Sequence, residues 1–171
     1  LGDAVPIAKR TGATIIASNE IAKYCAAQGA KVHGMNLGGS CAFPFGSVKL
    51  TIAHHTGSIE DEQWHPVATA ESNGFLLTME HHVRIYHAGD TALTYDMKLL
   101  GEMFDIDLAL LPIGDNYTMG IEDALKAVEF LNPDLVVPIH HGTFEGITVD
   151  AQAFATHAIE LGHAAKVLKP G

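Results

Sequence analysis

Apolar and polar positions alternate along the middle of the chain and change to a helical period toward its end. Val48, Leu50 and Ile52 alternate with Lys49 and Thr51, which predicts a strand running into His54-His55-Thr56-Gly57. If that register persists, His54 shares the apolar face and His55 points the other way. Val83-Arg84-Ile85-Tyr86-His87 alternates likewise and predicts a half-buried strand with Val83, Ile85 and His87 on one face and Arg84 and Tyr86 on the other. It stops at Gly89-Asp90-Thr91, where glycine permits a sharp exit from a sheet. Gly74–Met79 is a strand joined to it through Glu80-His81-His82, a hairpin. Asp107–Ile113 is almost continuously apolar, as expected of a strand covered on both faces. Leu135-Val136-Val137-Pro138-Ile139 is strand-like and runs into His140-His141-Gly142. Met97 and Leu100, with Phe104 just beyond, fall at helical spacing over 95–103. Ile121, Ala124, Leu125, Val128 and Leu131 form an amphipathic helix with Glu122 and Asp123 in its first turn, ended by Asn132-Pro133. A helix over 150–161 and a strand over 164–168 complete the pattern.

The first third reads as short helices and short strands in turn. Asp3 caps a helix through Lys9, stopped by Gly12, and a short buried strand covers Ala13–Ala17. Ser18 caps a helix from Asn19 to about Gln28, with Cys25 on its core-facing side. A weak strand over 31–36, a Gly38-Gly39 turn and an edge strand around Phe43-Pro44-Phe45 come next. Ser58–Thr69 is a polar loop holding Trp64, His65 and Pro66, long enough to be a functional flap. No repeat, linker or low-complexity segment divides the chain, so 1–171 reads as one domain. Its mixture of elements suits a layered α/β sandwich better than a regular βαβ series.

Composition narrows the function. The 171 residues are 47% hydrophobic and 18% charged, a globular balance, with a formal net charge of -10. Such a charge disfavours nucleic-acid backbones and anionic membrane surfaces, and no apolar run approaches the roughly 20 residues of a membrane span. Two cysteines, Cys25 and Cys41, predict a reduced cytoplasmic protein, with a single disulfide as the alternative. Eleven histidines against ten Lys and Arg hint at metal chemistry.

Three strand-like runs end in His55, Asp90 and His140. A lone histidine is more often a satisfied core or surface side chain, but three ligand-type residues at three strand ends favour one assembled site. Imidazole and carboxylate suit zinc, iron or manganese, and a carboxylate can bridge two cations. His54 and His141 neighbour the candidate ligands and would stand beside them or wall the pocket. His87 is balanced between a half-buried strand histidine and a supporting role. Asp115 and Asn116 could line a pocket, orient a ligand histidine or cap a turn. His33, His65, His81, His82, His157 and His163 read as surface or loop residues.

Ala53-His54-His55-Thr56, Tyr86-His87-Ala88-Gly89-Asp90-Thr91, the run Leu111-Pro112-Ile113-Gly114-Asp115-Asn116-Tyr117-Thr118-Met119-Gly120 and Val137-Pro138-Ile139-His140-His141-Gly142-Thr143 together resemble the metallo-β-lactamase superfamily. They are closest to its metal-dependent hydrolases similar to ascorbate-phosphate lactonases. The resemblance implies a four-layer αββα sandwich holding two divalent cations, zinc first, with manganese, iron or nickel as alternatives. It implies that His55 binds one metal, Asp90 bridges both and His140 binds the second. A metal-bound hydroxide would then attack an ester, lactone, amide or phosphodiester of a small-molecule substrate. The family's His-x-His-x-Asp-His motif is not found, and Leu1-Gly2-Asp3 resembles the Gly-Asp segment just downstream of that motif. The chain is therefore expected to be a C-terminal portion with the N-terminal strands absent, an incomplete site, weak metal binding and no activity of its own. Exposed sheet edges would then favour a homo-oligomer. The competing reading is a non-catalytic remnant that binds a metabolite or a partner. A histidine-rich storage protein is disfavoured because the histidines are dispersed.

Overall fold

The structure, a computed structural model, describes residues 2–60 and 65–169, so Trp64 lies outside the described residues. The chain runs α1 (Ala4–Thr11), β1 (Thr14–Ser18), α2 (Asn19–Ala27), β2 (Lys31–Met35), β3 (Ser40–Phe43), β4 (Gly46–Ile52), β5 (Ser58–Glu60), β6 (Pro66–Thr69), β7 (Asn73–Met79) and β8 (Arg84–His87). It continues with α3 (Asp96–Met103), β9 (Leu108–Pro112), α4 (Ile121–Leu131), β10 (Leu135–Ile139), α5 (Ala151–Glu160) and β11 (Ala164–Ala165).

A seven-stranded sheet in the order β11-β10-β9-β8-β7-β4-β3 carries the fold. Strands β8 to β11 are mutually parallel, whereas β3, β4, β7 and β8 pair antiparallel in sequence. Register brings Tyr86 opposite Ala109 and Leu110 opposite Val137. The helices α3, α4 and α5 cover one face, where Leu76, Tyr86, Leu111, Met97, Val128, Leu131, Val136 and Phe154 form the main core. A separate parallel pair, β1 with β2, carries α1 and α2 over a smaller core of Val5, Ala8, Cys25 and Ala30. The two parts meet where the His33 ring of β2 stands edge-on to Phe43 of β3, 5.0 Å between centroids. This is the layered α/β arrangement that the sequence predicts.

Several local expectations are corrected. Ser58–Thr69 is not all loop: β5 and β6 form a small antiparallel hairpin there. The alternation in β8 is misleading, because Tyr86, which it places on the open face, is fully buried. Helices cover that face, so a polar hydroxyl is carried inside by an aromatic ring. Burial pushes the Tyr86 hydroxyl up to about 12, against the opposing effect of Thr51 beside it and with added repulsion from Asp96. The β4 register ends at Ile52, and both His54 and His55 emerge exposed, so His54 does not share the buried apolar face. Neither Asp3 nor Ser18 makes a side-chain cap, whereas Asp150 accepts from the N–H groups of Gln152 and Ala153 at 3.0 Å each. The last strand keeps only Ala164 and Ala165.

Phe154 lies fully buried where α5 meets this core. Phe154→Ala should lower unfolding stability by about 3–5 kcal/mol, read as a reduced denaturation midpoint in urea with an unchanged slope. A loss well below that range would mean that the α5 layer is not part of the cooperative core.

Candidate metal site at the strand ends

Neighbouring parallel strands finish at one edge of the sheet, so the loops leaving β8, β9 and β10 are gathered there. Each chain leaves by one left-handed residue: Gly89 at φ 69, Asp115 at φ 67 and His140 at φ 51. Gly89 has no substitute, because a Cβ there would lie 2.6 Å from the Asn73 carbonyl oxygen. His140 bears a cost of roughly 1–2 kcal/mol for this backbone, and strain of that kind concentrates at functional positions. These exits bring two residues together that are distant in sequence. Asp90 Oδ2 lies 3.4 Å from His140 Nε2.

That spacing fits a shared cation better than a direct hydrogen bond. A charge-assisted N–H···O bond is about 2.7–2.9 Å long. Two ligands on one tetrahedral zinc, each about 2.0–2.1 Å from the metal, stand roughly 3.3–3.4 Å apart. Both side chains keep access to solvent, with exposures of 44% for Asp90 and 30% for His140. The other ring nitrogen, His140 Nδ1, is buried with no hydrogen-bond partner. His55 stands in the loop after β4, with its Nδ1 2.7 Å from the Thr56 carbonyl. Donating that bond leaves Nε2 with a free lone pair, the form that binds a cation. The structure therefore joins Asp90 with His140, while His55 remains outside the pair. Among the described residues no cluster of three or more His, Cys, Asp or Glu side chains is close enough to hold a metal.

The loops are tied by Thr91, a fully buried residue that no sequence pattern singles out as functional. Its Oγ1 accepts from the His54 N–H at 3.0 Å and donates to the Ala92 carbonyl at 2.8 Å. The Ala92 N–H returns to the His54 carbonyl at 3.1 Å, and the Met119 N–H reaches the Thr91 carbonyl at 3.1 Å. One residue thus links the exits of β4, β8 and β9. Its only sequence signal is its place in Gly89-Asp90-Thr91. His54 enters the site through its backbone. His87 Nδ1 accepts from the Gly89 N–H at 3.0 Å and so braces the turn that presents Asp90. Burial holds the His87 imidazole below its usual range, opposed by the Asp90 carboxylate and a backbone hydrogen bond. Asp115 points back over Gly120 at the start of α4, where an added Cβ would lie 3.1 Å from its Oδ1. Asn116 is exposed beside it, and His141 is half-buried after the His140 turn. Tyr117 and Phe144, on the loops after β9 and β10, also escape a reading of the sequence, because single aromatics in polar loops carry no periodic signal.

Comparison with known proteins gives consistent matches. The Beta-lactamase superfamily domain matches residues 4–140. A UPF0173 metal-dependent hydrolase of Enterococcus faecalis is 48% identical over 173 residues, covering 100% of this chain and 74% of that protein. The UPF0173 metal-dependent hydrolase YtkL of Bacillus subtilis is 52% identical over 156 residues, covering 91% of this chain and 68% of that protein. Among solved structures, Igni18, described as a novel metallo hydrolase from the archaeon Ignicoccus hospitalis, superposes with a TM-score of 0.89 at 34% identity. It covers 99% of this chain and 71% of the archaeal one.

Two outcomes are expected from this geometry. Thr91→Val keeps the shape but removes the bond to the His54 N–H, so it should lower stability by about 1–2 kcal/mol, with Thr91→Ser retaining most of it. Equal denaturation midpoints for Thr91→Val and the parent would contradict the linking role. The depressed His87 imidazole stays neutral in the fold while the unfolded chain takes up a proton near pH 6.5. Stability should therefore fall as pH drops from 7 through that value, by up to about 1.4 kcal/mol per pH unit from this group. His87→Asn keeps an acceptor near Gly89 but cannot titrate, and should show a shallower fall. Parallel pH profiles for the two proteins would refute it.

Proposed function

The chain belongs to the metallo-beta-lactamase superfamily, beside the UPF0173 metal-dependent hydrolases, and on that premise we propose that it serves metal-dependent hydrolysis of a small ester, lactone, amide or phosphodiester. The observation that carries this reading is the 3.4 Å approach of Asp90 Oδ2 to His140 Nε2, the spacing of two donors on one cation. Asp90 has a second carboxylate oxygen and would be the residue able to serve two cations, zinc first. His140 would hold a cation through Nε2 beside Asp90, and His55, whose Nε2 is left free, would be a further donor. Two donors in contact are fewer than the three protein ligands of a catalytic zinc site. Tight binding therefore depends on His55 joining the pair and on donors beyond the three residues named here.

A cation bound there supplies Lewis-acid polarisation of the scissile group and lowers the pKa of water. The protein's own contribution is positional. Thr91 fixes the three exits, and the Gly89 N–H bonded to His87 Nδ1 holds the Asp90 turn. The neutral imidazole of His87 adds no positive charge that would compete with a cation for Asp90. His54 and His141, each next to a candidate ligand, would wall the site, and Asn116, exposed on the loop after β9, would stand at its outer side, whereas Asp115 turns back over Gly120. A non-catalytic binding protein is the second reading, favoured by the lack of a three-donor cluster among the described residues.

Zinc content measured by mass spectrometry, alongside ester and phosphodiester hydrolysis, separates the two. Asp90→Ala and His140→Ala should keep the parent's circular dichroism and melting behaviour. Each should weaken zinc binding and turnover by at least about 100-fold, more than loss of an outer supporting contact costs. Turnover unchanged in Asp90→Ala would end the metallohydrolase reading.

A further inference from the structure

Two large aromatic side chains stand open on the loops that leave β9 and β10 at this edge. Tyr117 is 56% exposed and Phe144 is 52% exposed. They belong to different loops, Tyr117 after β9 and Phe144 after β10, yet their ring centroids are 6.2 Å apart with planes tilted by 45°. Gly146 lies under both: a Cβ there would stand 3.1 Å from Phe144 Cε2 and 3.4 Å from Tyr117 Cε2. The rings thus rest on backbone and leave their outer faces uncovered.

Neither loop is loose. The Thr118 N–H donates to the Asp115 carbonyl at 2.8 Å, the Asp115 N–H to Met119 at 3.0 Å, and the Met119 N–H to Thr91, next to Asp90, at 3.1 Å. On the other side the Gly142 N–H donates to the Ile147 carbonyl at 2.8 Å, and the Thr148 hydroxyl donates to the Phe144 carbonyl at 3.2 Å. The Phe144 loop begins at His140 itself. Both aromatics are therefore fixed relative to the Asp90–His140 pair by short, hydrogen-bonded segments. Two open rings side by side make one apolar face, and ordered rings give contact area with little loss of side-chain freedom.

We propose that Tyr117 and Phe144 form an aromatic clamp that selects substrates carrying a flat apolar group, such as an aryl ring, next to the bond cleaved at Asp90 and His140. The inference rests on the metallohydrolase reading. The reacting group sits at the strand ends, and the apolar group beside it lies against the two rings. The Tyr117 hydroxyl stays in water at the rim. Neither side chain takes part in the chemistry.

Calorimetric titration of the zinc-loaded protein with phenylphosphonate and methylphosphonate tests this without any turnover. The parent should bind the phenyl compound roughly ten-fold more tightly, the scale of one good aromatic contact. Tyr117→Ala combined with Phe144→Ala should bind methylphosphonate as the parent does but lose the phenyl preference, whereas Tyr117→Phe should keep it. Equal affinity for the two compounds in the parent, or a preference that survives the double substitution, overturns the clamp while leaving the metal site standing. If the parent binds neither phosphonate, the metallohydrolase reading fails, and the clamp falls with it.

Discussion

The hydrogen bonds of one buried threonine hold together the sheet edge that carries the candidate site. Thr91 receives the His54 N–H, donates to Ala92 and offers its own carbonyl to Met119. Without these bonds the loops after β4, β8 and β9 would be three separate surface segments, each free to choose its own conformation. With them, the three loops are tied to one another. The buried main-chain groups are satisfied within the site, as an interior position demands. Asp90, one residue earlier, inherits that fixed position.

The second constraint is the sheet. Parallel pairing of β8, β9 and β10 makes the three chains leave at the same edge, and the left-handed residues Gly89, Asp115 and His140 turn each one out of the plane. A residue of ordinary extended backbone at His140 would carry its ring on along the strand. The turn instead brings Nε2 to within 3.4 Å of Asp90. Local strain at His140 is offset by the packed layer behind it, where Leu111, Ile113 and Val136 are fully buried. Stability and site geometry therefore come from the same strands, one from their sides and the other from their ends.

Electrostatics at the edge depend on this placement. His87 is half-buried in the strand that presents Asp90, and burial favours its neutral ring. A neutral Nδ1 can accept the Gly89 N–H, which a protonated ring could not do, so the turn depends on the imidazole staying uncharged. His55 uses the same chemistry in the opposite sense: Nδ1 is engaged with its neighbour's carbonyl and Nε2 is left open.

The amino-acid sequence determined much by itself. Continuous apolar stretches defined β9, helical spacing defined α4 with its Asn132 stop, and the Gly-Asp-Thr exit marked Asp90 as a strand-end carboxylate. These are local signals, written in residue type and period, and they agree with the fold because burial follows the same period: α4 buries Ala124, Ala127, Val128 and Leu131 and exposes Glu122, Asp123, Lys126 and Glu129. Tertiary structure alone decided the rest. Alternation in β8 puts Tyr86 on the open face because it does not reveal that helices cover that face. The β5–β6 hairpin reads as loop because its few pairs are made across a gap in sequence. That Asp90 meets His140 while His55 stands aside, that Thr91 joins three loops and that Tyr117 lies against Phe144 are all contacts between distant segments. No periodicity encodes such contacts; they exist only once the parallel strands have aligned their ends.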